Sequence, residues 1–257
     1  MNVMEYIQTV DYFTNLISKS INHSYLNRFI DNPIYEKHKI IALSAITEHE
    51  ENDESLIHTT MLVQIALNTH DQIKKNFQSE GNIKKQQLTV LAGDYYSGIY
   101  YDILAHQGNL PFIYYLSSGI NELTQMKMHV FYQAYPDIYA FLKDYMEIQT
   151  GLITKVAQFM KQENTISYLA NWLMLKHIEQ EISFFYQGEQ TFLQQLLVSN
   201  VQVKNSFAFM EETLWRIHAH YQETLVMYNS LLPDIDLYQM KTYQKARTSS
   251  LEEGLSK

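Results

Sequence analysis

The sequence predicts an all-α protein, a single-domain helical bundle, on three observations. Eight glycines and four prolines in 257 residues are too few for the closely spaced turns of a β-rich chain. Apolar residues recur at helical spacing along nearly the whole length. Hydrophobic residues make up 46%, so a chain this long can bury a sizeable core without disulfides or metals.

The helices follow in order. Val10, Phe13, Leu16 and Ile17 mark the inner face of the first. Asn32-Pro33 interrupts the chain, and a second helix is expected from near Ile34 with Ile40, Leu43 and Ile46 inward. The acidic segment 48–54 leads into a third helix, where carboxylates suit the positive end of the helix dipole. That helix, from about Ser55 to Ile73, is too apolar for a surface helix and should be central. Residues 77–82 read as a loop with Gly81-Asn82 as its turn, and a fourth helix runs from about Gln86 to His106. Gly108-Asn109 ends it, and Pro111 suits the first turn of a fifth helix reaching about Gln133. Further helices are expected over 137–161, 166–187, 190–199 and 206–231, closed by Pro233. No repeat or interdomain linker interrupts this pattern. The expected division is a helical domain over 1–240 and a flexible C-terminal tail over 241–257.

Composition narrows the function. A formal net charge of −9 without a long basic run disfavours nucleic acid, whose non-specific binding rests on Lys and Arg. The absence of cysteine removes disulfides and thiolate metal sites and agrees with a reducing compartment. No apolar run approaches the ~20 residues of a membrane span, and Glu5 and Asp11 do not fit a cationic secretory start. A cytoplasmic location is expected. Twenty Tyr and twelve Phe serve either helix-on-helix packing or an apolar cleft or partner face.

Two segments carry a resemblance. Ile57-His58-Thr59-Thr60-Met61-Leu62-Val63 and Leu88-Thr89-Val90-Leu91-Ala92-Gly93-Asp94-Tyr95 resemble the long-chain trans-prenyl diphosphate synthases. In that family the first segment runs into an Asp-Asp-x-x-Asp motif, followed after four residues by Arg-Arg. Here the five positions read Ile65, Ala66, Leu67, Asn68 and Thr69, and Lys74-Lys75 follow at the same spacing. Mg²⁺ needs oxygen ligands, commonly carboxylates; none of these five side chains is charged. Lys74 and Lys75 keep positive charge near the diphosphate position but lack the bidentate fork of Arg. The family's second Asp-rich motif has no counterpart, since no Asp-Asp pair occurs anywhere.

Residues 88–101, with Ala66-Leu67-Asn68-Thr69-His70-Asp71 and Ile120-Asn121-Glu122, are closer still to the small subunits (component 1) of bacterial two-component heptaprenyl diphosphate synthases. The resemblance implies an isoprenoid-synthase-like bundle that binds no cofactor itself. It also implies a heterodimer whose Asp-rich catalytic subunit holds Mg²⁺ and elongates farnesyl diphosphate with isopentenyl diphosphate. The product would be the side chain of menaquinone, and this chain would meet the prenyl diphosphate only through its partner. In such synthases the helices matching 88–107 and 111–133 form the dimer face, so Tyr95, Tyr96, Ile99, Tyr100, Phe112 and Tyr115 are interface candidates. In isolation the same face would pair with itself. Side chains upstream of the motif limit product length in homodimeric relatives, which makes Thr60 and Met61 candidates here. Gly93, and Gly98 nearby, are expected to allow close helix approach.

Two other readings compete. His70-Asp71 invites comparison with helical metal-dependent phosphohydrolases, which would need His38 or His58 and Asp94 to converge on one metal. A scaffold protein without catalytic effect is the third class.

Overall fold

In a computed structural model of the chain, residues 3–48, 53–72 and 80–228 are described. They form nine α-helices and no strand. These are α1 (Val3–Ser20), α2 (Lys37–Thr47), α3 (Asp53–Asp71), α4 (Glu80–His106), α5 (Leu110–Tyr132), α6 (Ile138–Phe159), α7 (Glu163–Tyr186), α8 (Phe192–Asn200) and α9 (Phe207–Val226). A 3₁₀ turn at Leu26–Arg28 joins α1 to the stretch before α2. Lys74, Lys75, residues 229–240 and the 241–257 segment lie outside the described residues.

Most boundaries have a visible cause. Asn109 accepts a hydrogen bond from the Phe112 amide, with Pro111 in the first turn of α5. Asp137 accepts from the amides of Tyr139 and Ala140 and starts α6. Thr191 accepts from the Gln194 amide at α8. Each such side chain satisfies one or two of the amides that a helix start leaves unpaired. Gly108 and Gly188 adopt positive φ, 68° and 77°, just beyond α4 and α7, where glycine ends a helix without strain. The C-terminus of α5 is held from outside: buried Asn200 donates to the carbonyls of Val130 (2.7 Å) and Gln133 (2.9 Å), and its own carbonyl accepts from the Tyr135 amide.

Several boundaries differ from the sequence reading; α7 begins at Glu163 instead of 166 and α9 ends at Val226 instead of 231. The second helix begins at Lys37 rather than near Ile34, and Tyr35-Glu36 form its approach. The fourth begins at Glu80, so Gly81-Asn82 lie inside α4 instead of forming a turn. Glycine weakens a helix by only ~1 kcal/mol, and the long packing of α4 on α3 outweighs that.

The interior holds two apolar clusters. One gathers α1 to α4, the first half of α5, the C-terminal half of α6 and the start of α7, with Ile17, Ile40, Met61, Tyr96, Phe112 and Trp172 all buried. The other gathers the far ends of α5, α6 and α7 with α8 and α9, around Phe141, Met174, Leu193 and Leu214. Helices α5, α6 and α7 contribute to both, and Leu225 of α9 packs against each. The third helix is central as expected: from Leu56 to Ala66 every side chain is buried.

Candidate functional site

The positions that carry metal-binding carboxylates in the family pattern sit in the interior of this chain. Ile65 is 1% and Ala66 3% exposed, and both pack in the first apolar cluster. The hydroxyl of Thr69 donates to the Ile65 carbonyl at 2.7 Å, so it is spent on its own helix. Leu67 is half-buried against the same cluster. Asn68 accepts from the Gln64 amide (2.8 Å) and donates to the Glu36 carboxylate (2.8 Å). Glu36 also pairs with Lys39 at 2.9 Å. Burial pushes the Glu36 carboxyl up, but the nearby Lys39 charge and the Asn68 hydrogen bond outweigh it, leaving it below the usual range. Mg²⁺ asks for several oxygens arranged around a point. Apolar Ile65 and Ala66, and a Thr69 hydroxyl turned onto backbone, do not fit it.

The wall beyond α2 is closed in a similar way. Lys176 of α7, 2% exposed, pairs with Glu179 at 3.0 Å, and His218 of α9 lies 3.7 Å from the other Glu179 oxygen. Burial pushes Glu179 up, while His218 and Lys176 together bring it below its ordinary value. The Tyr145 hydroxyl lies 3.0 Å from His177 Nε2. Burial pushes the His177 imidazole down to about 4, with Glu36 opposing and Lys39 adding to the effect. Glu181, one turn on, accepts from the Thr191 hydroxyl, yet burial pushes its carboxyl up to about 7. Among Glu36, Lys39, Lys176 and His177 there remains a cavity of about 20 Å³, room for about one water. Outside it a cleft of about 310 Å³ opens between Tyr35, Lys37, His38, Ser183 and Phe184. Neither of these two spaces is lined by the motif positions 65–69.

This paired interior was partly legible in the sequence and was missed. Glu36 with Lys39, and Lys176 with Glu179, stand three residues apart on helices, a spacing that brings side chains together. Lys176 also interrupts the apolar run Trp172-Leu173-Met174-Leu175, which marks a buried charge that needs a partner.

The product-length candidates belong to the same interior. Thr60 and Met61 are fully buried, and the Thr60 hydroxyl donates to the Leu56 carbonyl at 2.7 Å. They pack in this chain's own core. Lys74 and Lys75, the diphosphate-proximal candidates, lie outside the described residues. The phosphohydrolase reading finds only His70 and Asp94 together, 3.7 Å apart, and its other residues engaged elsewhere. His58 bonds the Ser20 hydroxyl (2.9 Å), His38 packs edge-on to Trp172, and Asp71 pairs with Lys127 at 2.5 Å. Among the described residues no three His, Asp or Glu side chains gather as for a metal.

The fourth and fifth helices present a different chemistry. Here the expected interface divides. Tyr96, Tyr100 and Phe112 are buried in the first cluster, so they are core residues and not interface residues. Helical periodicity turns them inward, since α4 must cover α3. Ile99 is half-buried against the cluster, and Tyr115 is half-buried edge-on to Phe159. Tyr95 remains exposed, beside His23. The apolar side chains open to solvent on these helices instead include Val90, Leu91, Tyr101, Leu110 and Tyr114, together with Tyr95. The Tyr101 hydroxyl meets Ser117 at 3.0 Å and ties α4 to α5. Gly93 does allow close approach: a Cβ there would stand 2.5 Å from the His70 ring of α3. Gly98 does not serve this purpose among the described residues, none of which outside its own helix lies within 4 Å of a Cβ built on it.

Among the described residues no helix is long and apolar enough to cross a membrane. The overall arrangement is that of known solved synthases. A polyprenyl synthase from Caulobacter crescentus CB15, solved with calcium and isoprenyl diphosphate, is similar at a TM-score of 0.58, with 10% identity and coverage of 92% of this chain and 93% of that one. A decaprenyl diphosphate synthase from Rhodobacter capsulatus is similar at a TM-score of 0.53, with 12% identity over 93% of each chain. At such identities the likeness is one of fold, the isoprenoid-synthase-like bundle. In sequence, the chain is 29% identical over 145 residues to heptaprenyl diphosphate synthase component 1 of Geobacillus stearothermophilus, a stretch that is 56% of this chain and 64% of that relative. Residues 23–227 match the family described as heptaprenyl diphosphate synthase (HEPPP synthase) subunit 1, and the chain belongs to that family.

Proposed function

We propose that the chain is the non-catalytic subunit of a two-subunit heptaprenyl diphosphate synthase. In this reading an Asp-rich partner binds Mg²⁺ and both diphosphate substrates, and condenses isopentenyl diphosphate onto farnesyl diphosphate to build a menaquinone side chain. The observation that supports it most is the state of the motif positions. Ile65 and Ala66 are buried in apolar packing, and Asn68 is bonded to a Glu36 that is already neutralised by Lys39. A diphosphate leaving group needs concentrated positive charge as the allylic cation forms, and these residues neither supply it nor hold a metal that could.

The chain's own contribution is then structural and external. Its interior keeps α4 and α5 rigid on α3 and α6. The outward side chains Leu91, Tyr95, Tyr101 and Tyr114 supply an apolar, aromatic surface of the type enriched in obligate interfaces. In solution the pair would work in the cytoplasm, at a site walled by the partner. The test is reconstitution. The purified chain, an Asp-rich subunit encoded by the same genome, and their mixture are each given farnesyl and isopentenyl diphosphates with Mg²⁺. Elongation is expected from the mixture and not from this chain alone. Elongation by this chain alone would reject the reading, and a mixture no better than the Asp-rich subunit alone would leave a scaffold without catalytic effect.

A further inference from the structure

Gly98 sits in the second half of the 27-residue helix α4 on its solvent side, where no described residue from outside the helix comes within 4 Å of a Cβ built on it. A glycine there weakens the helix relative to alanine, and no described residue fills the space it leaves. Gly93, by contrast, is required by the His70 ring. Gly98 thus leaves room on this face for a helix that packs closely from outside. The apolar side chains around it, Leu91, Tyr95 and Tyr101, are each exposed.

Charge decides what that object is. Asp94 and Asp102, 66% and 71% exposed, stand one turn before and one turn after Gly98. At 100° per residue they lie about 40° to either side of it and about 6 Å away along the axis. Their cationisable neighbours are His70, 3.7 Å from Asp94, and His106, 3.2 Å from Asp102. The lysines of α4, Lys84 and Lys85, lie ten or more residues away at its N-terminal end, and Lys85 is paired with Asp31. In any two-fold pairing of two copies centred on Gly98, antiparallel or parallel, four carboxylates therefore ring the contact. Apolar burial would remove the water that screens them.

We propose that this face is built for a helix of a different chain and against a second copy of itself. The fitting helix carries Lys or Arg about one turn to either side of a small residue that meets Gly98, with apolar side chains opposite Leu91, Tyr95 and Tyr101. This rests on the two-subunit reading above and deepens it: the Asp-rich subunit supplies that helix, and the acidic pair makes the assembly a heterodimer.

The experiment uses the full chain as wild type, Asp94→Asn/Asp102→Asn and Asp94→Lys/Asp102→Lys. Sedimentation velocity measures self-association, and titration with the Asp-rich subunit measures assembly. The substituted side chains are exposed, so all three should melt alike. Self-association of the Asn variant is expected to tighten at least tenfold over wild type, while the Lys variant stays as weakly self-associated as wild type because the like charges remain. Affinity for the Asp-rich subunit is expected to fall about tenfold or more in the Lys variant and to fall less in the Asn variant. Unchanged self-association in the Asn variant, or full affinity of the Lys variant for the Asp-rich subunit, overturns the proposal. If wild type itself does not bind that subunit, the two-subunit reading fails first and the proposal fails with it.

Discussion

The third and fourth helices pack against each other more extensively than any other pair in the bundle, yet they face opposite conditions. Along α3 the side chains from Leu56 to Ala66 are all buried, and the polar ones bond to backbone or to neighbouring helices. Along α4 the inner side chains Ala92, Tyr96, Tyr100 and Leu104 are buried, while Val90, Leu91, Tyr95 and Tyr101 remain open. In this chain α3 is a core helix, whereas α4 leaves part of its apolar surface uncovered by the described residues. The contrast teaches that two helices in intimate contact can divide the work, one filling the interior and the other presenting a surface.

The contrast breaks most sharply under charge. Tyr100→Glu should place a carboxylate in the first apolar cluster and cost more than about 4 kcal/mol, which thermal melting would register as loss of the cooperative transition. Leu91→Glu, one helix face away, should change stability by less than about 0.5 kcal/mol. Equal melts for the two would show that α4 has no such inner and outer side.

Restoring the missing carboxylates sharpens the comparison next. Ile65→Asp/Ala66→Asp/Thr69→Asp should destabilise the chain by several kcal/mol, because uncompensated carboxylates would enter packed apolar space. It should bind no farnesyl diphosphate with Mg²⁺ in calorimetry. Binding by this variant at unchanged stability would mean that the interior keeps a usable chamber.

How far this could be read beforehand depends on which forces were local. The helices, their order and the central place of α3 follow from apolar spacing, and the five substituted motif positions were visible directly. The inward turn of Tyr96, Tyr100 and Phe112 was not, because aromatic residues surround α4 and α5 and only the packing of α3 and α6 selects a face. The closing network was half legible. The i,i+3 spacing of Glu36-Lys39 and Lys176-Glu179 was in view, but the bond from Asn68 to Glu36 joins residues 32 apart in sequence. The role of Asn200, 70 residues from the Val130 carbonyl it caps, left no local signal at all.

That long-range cap gives a smaller effect. Asn200→Ala leaves buried carbonyls at the end of α5 without donors, and about 1–3 kcal/mol should be lost, read as a lower denaturant midpoint. A change below about 0.5 kcal/mol would mean that water replaces the amide without penalty.

The last effect is one of pH, seen only as a slope. Glu181 is held up to about 7 in the fold against an ordinary 4.5. The folded chain therefore binds a proton that the unfolded chain has released between those values. This contribution is fully present below pH 4.5 and is lost as pH rises through about 7. His177, held down to about 4 from 6.5, has the opposite slope, its contribution being lost as pH falls from about 6.5 toward 4. Glu181→Gln should remove only the first slope, so its stability relative to wild type should rise between pH 5 and pH 8. A difference that stays flat over this interval would mean that Glu181 is ionised throughout.

The central claim is that this chain acts through the outer side of α4 and not through the interior around α3. It is tested most directly by the product distribution of the reconstituted pair carrying either Leu91→Glu or Met61→Leu. The first alters the open face and the second swaps one buried side chain for another of similar volume. The account predicts that Leu91→Glu lowers elongation at least tenfold with an unchanged melt, while Met61→Leu gives the same rate and the same chain length. A shift in product length with Met61→Leu, together with full activity in Leu91→Glu, would contradict it.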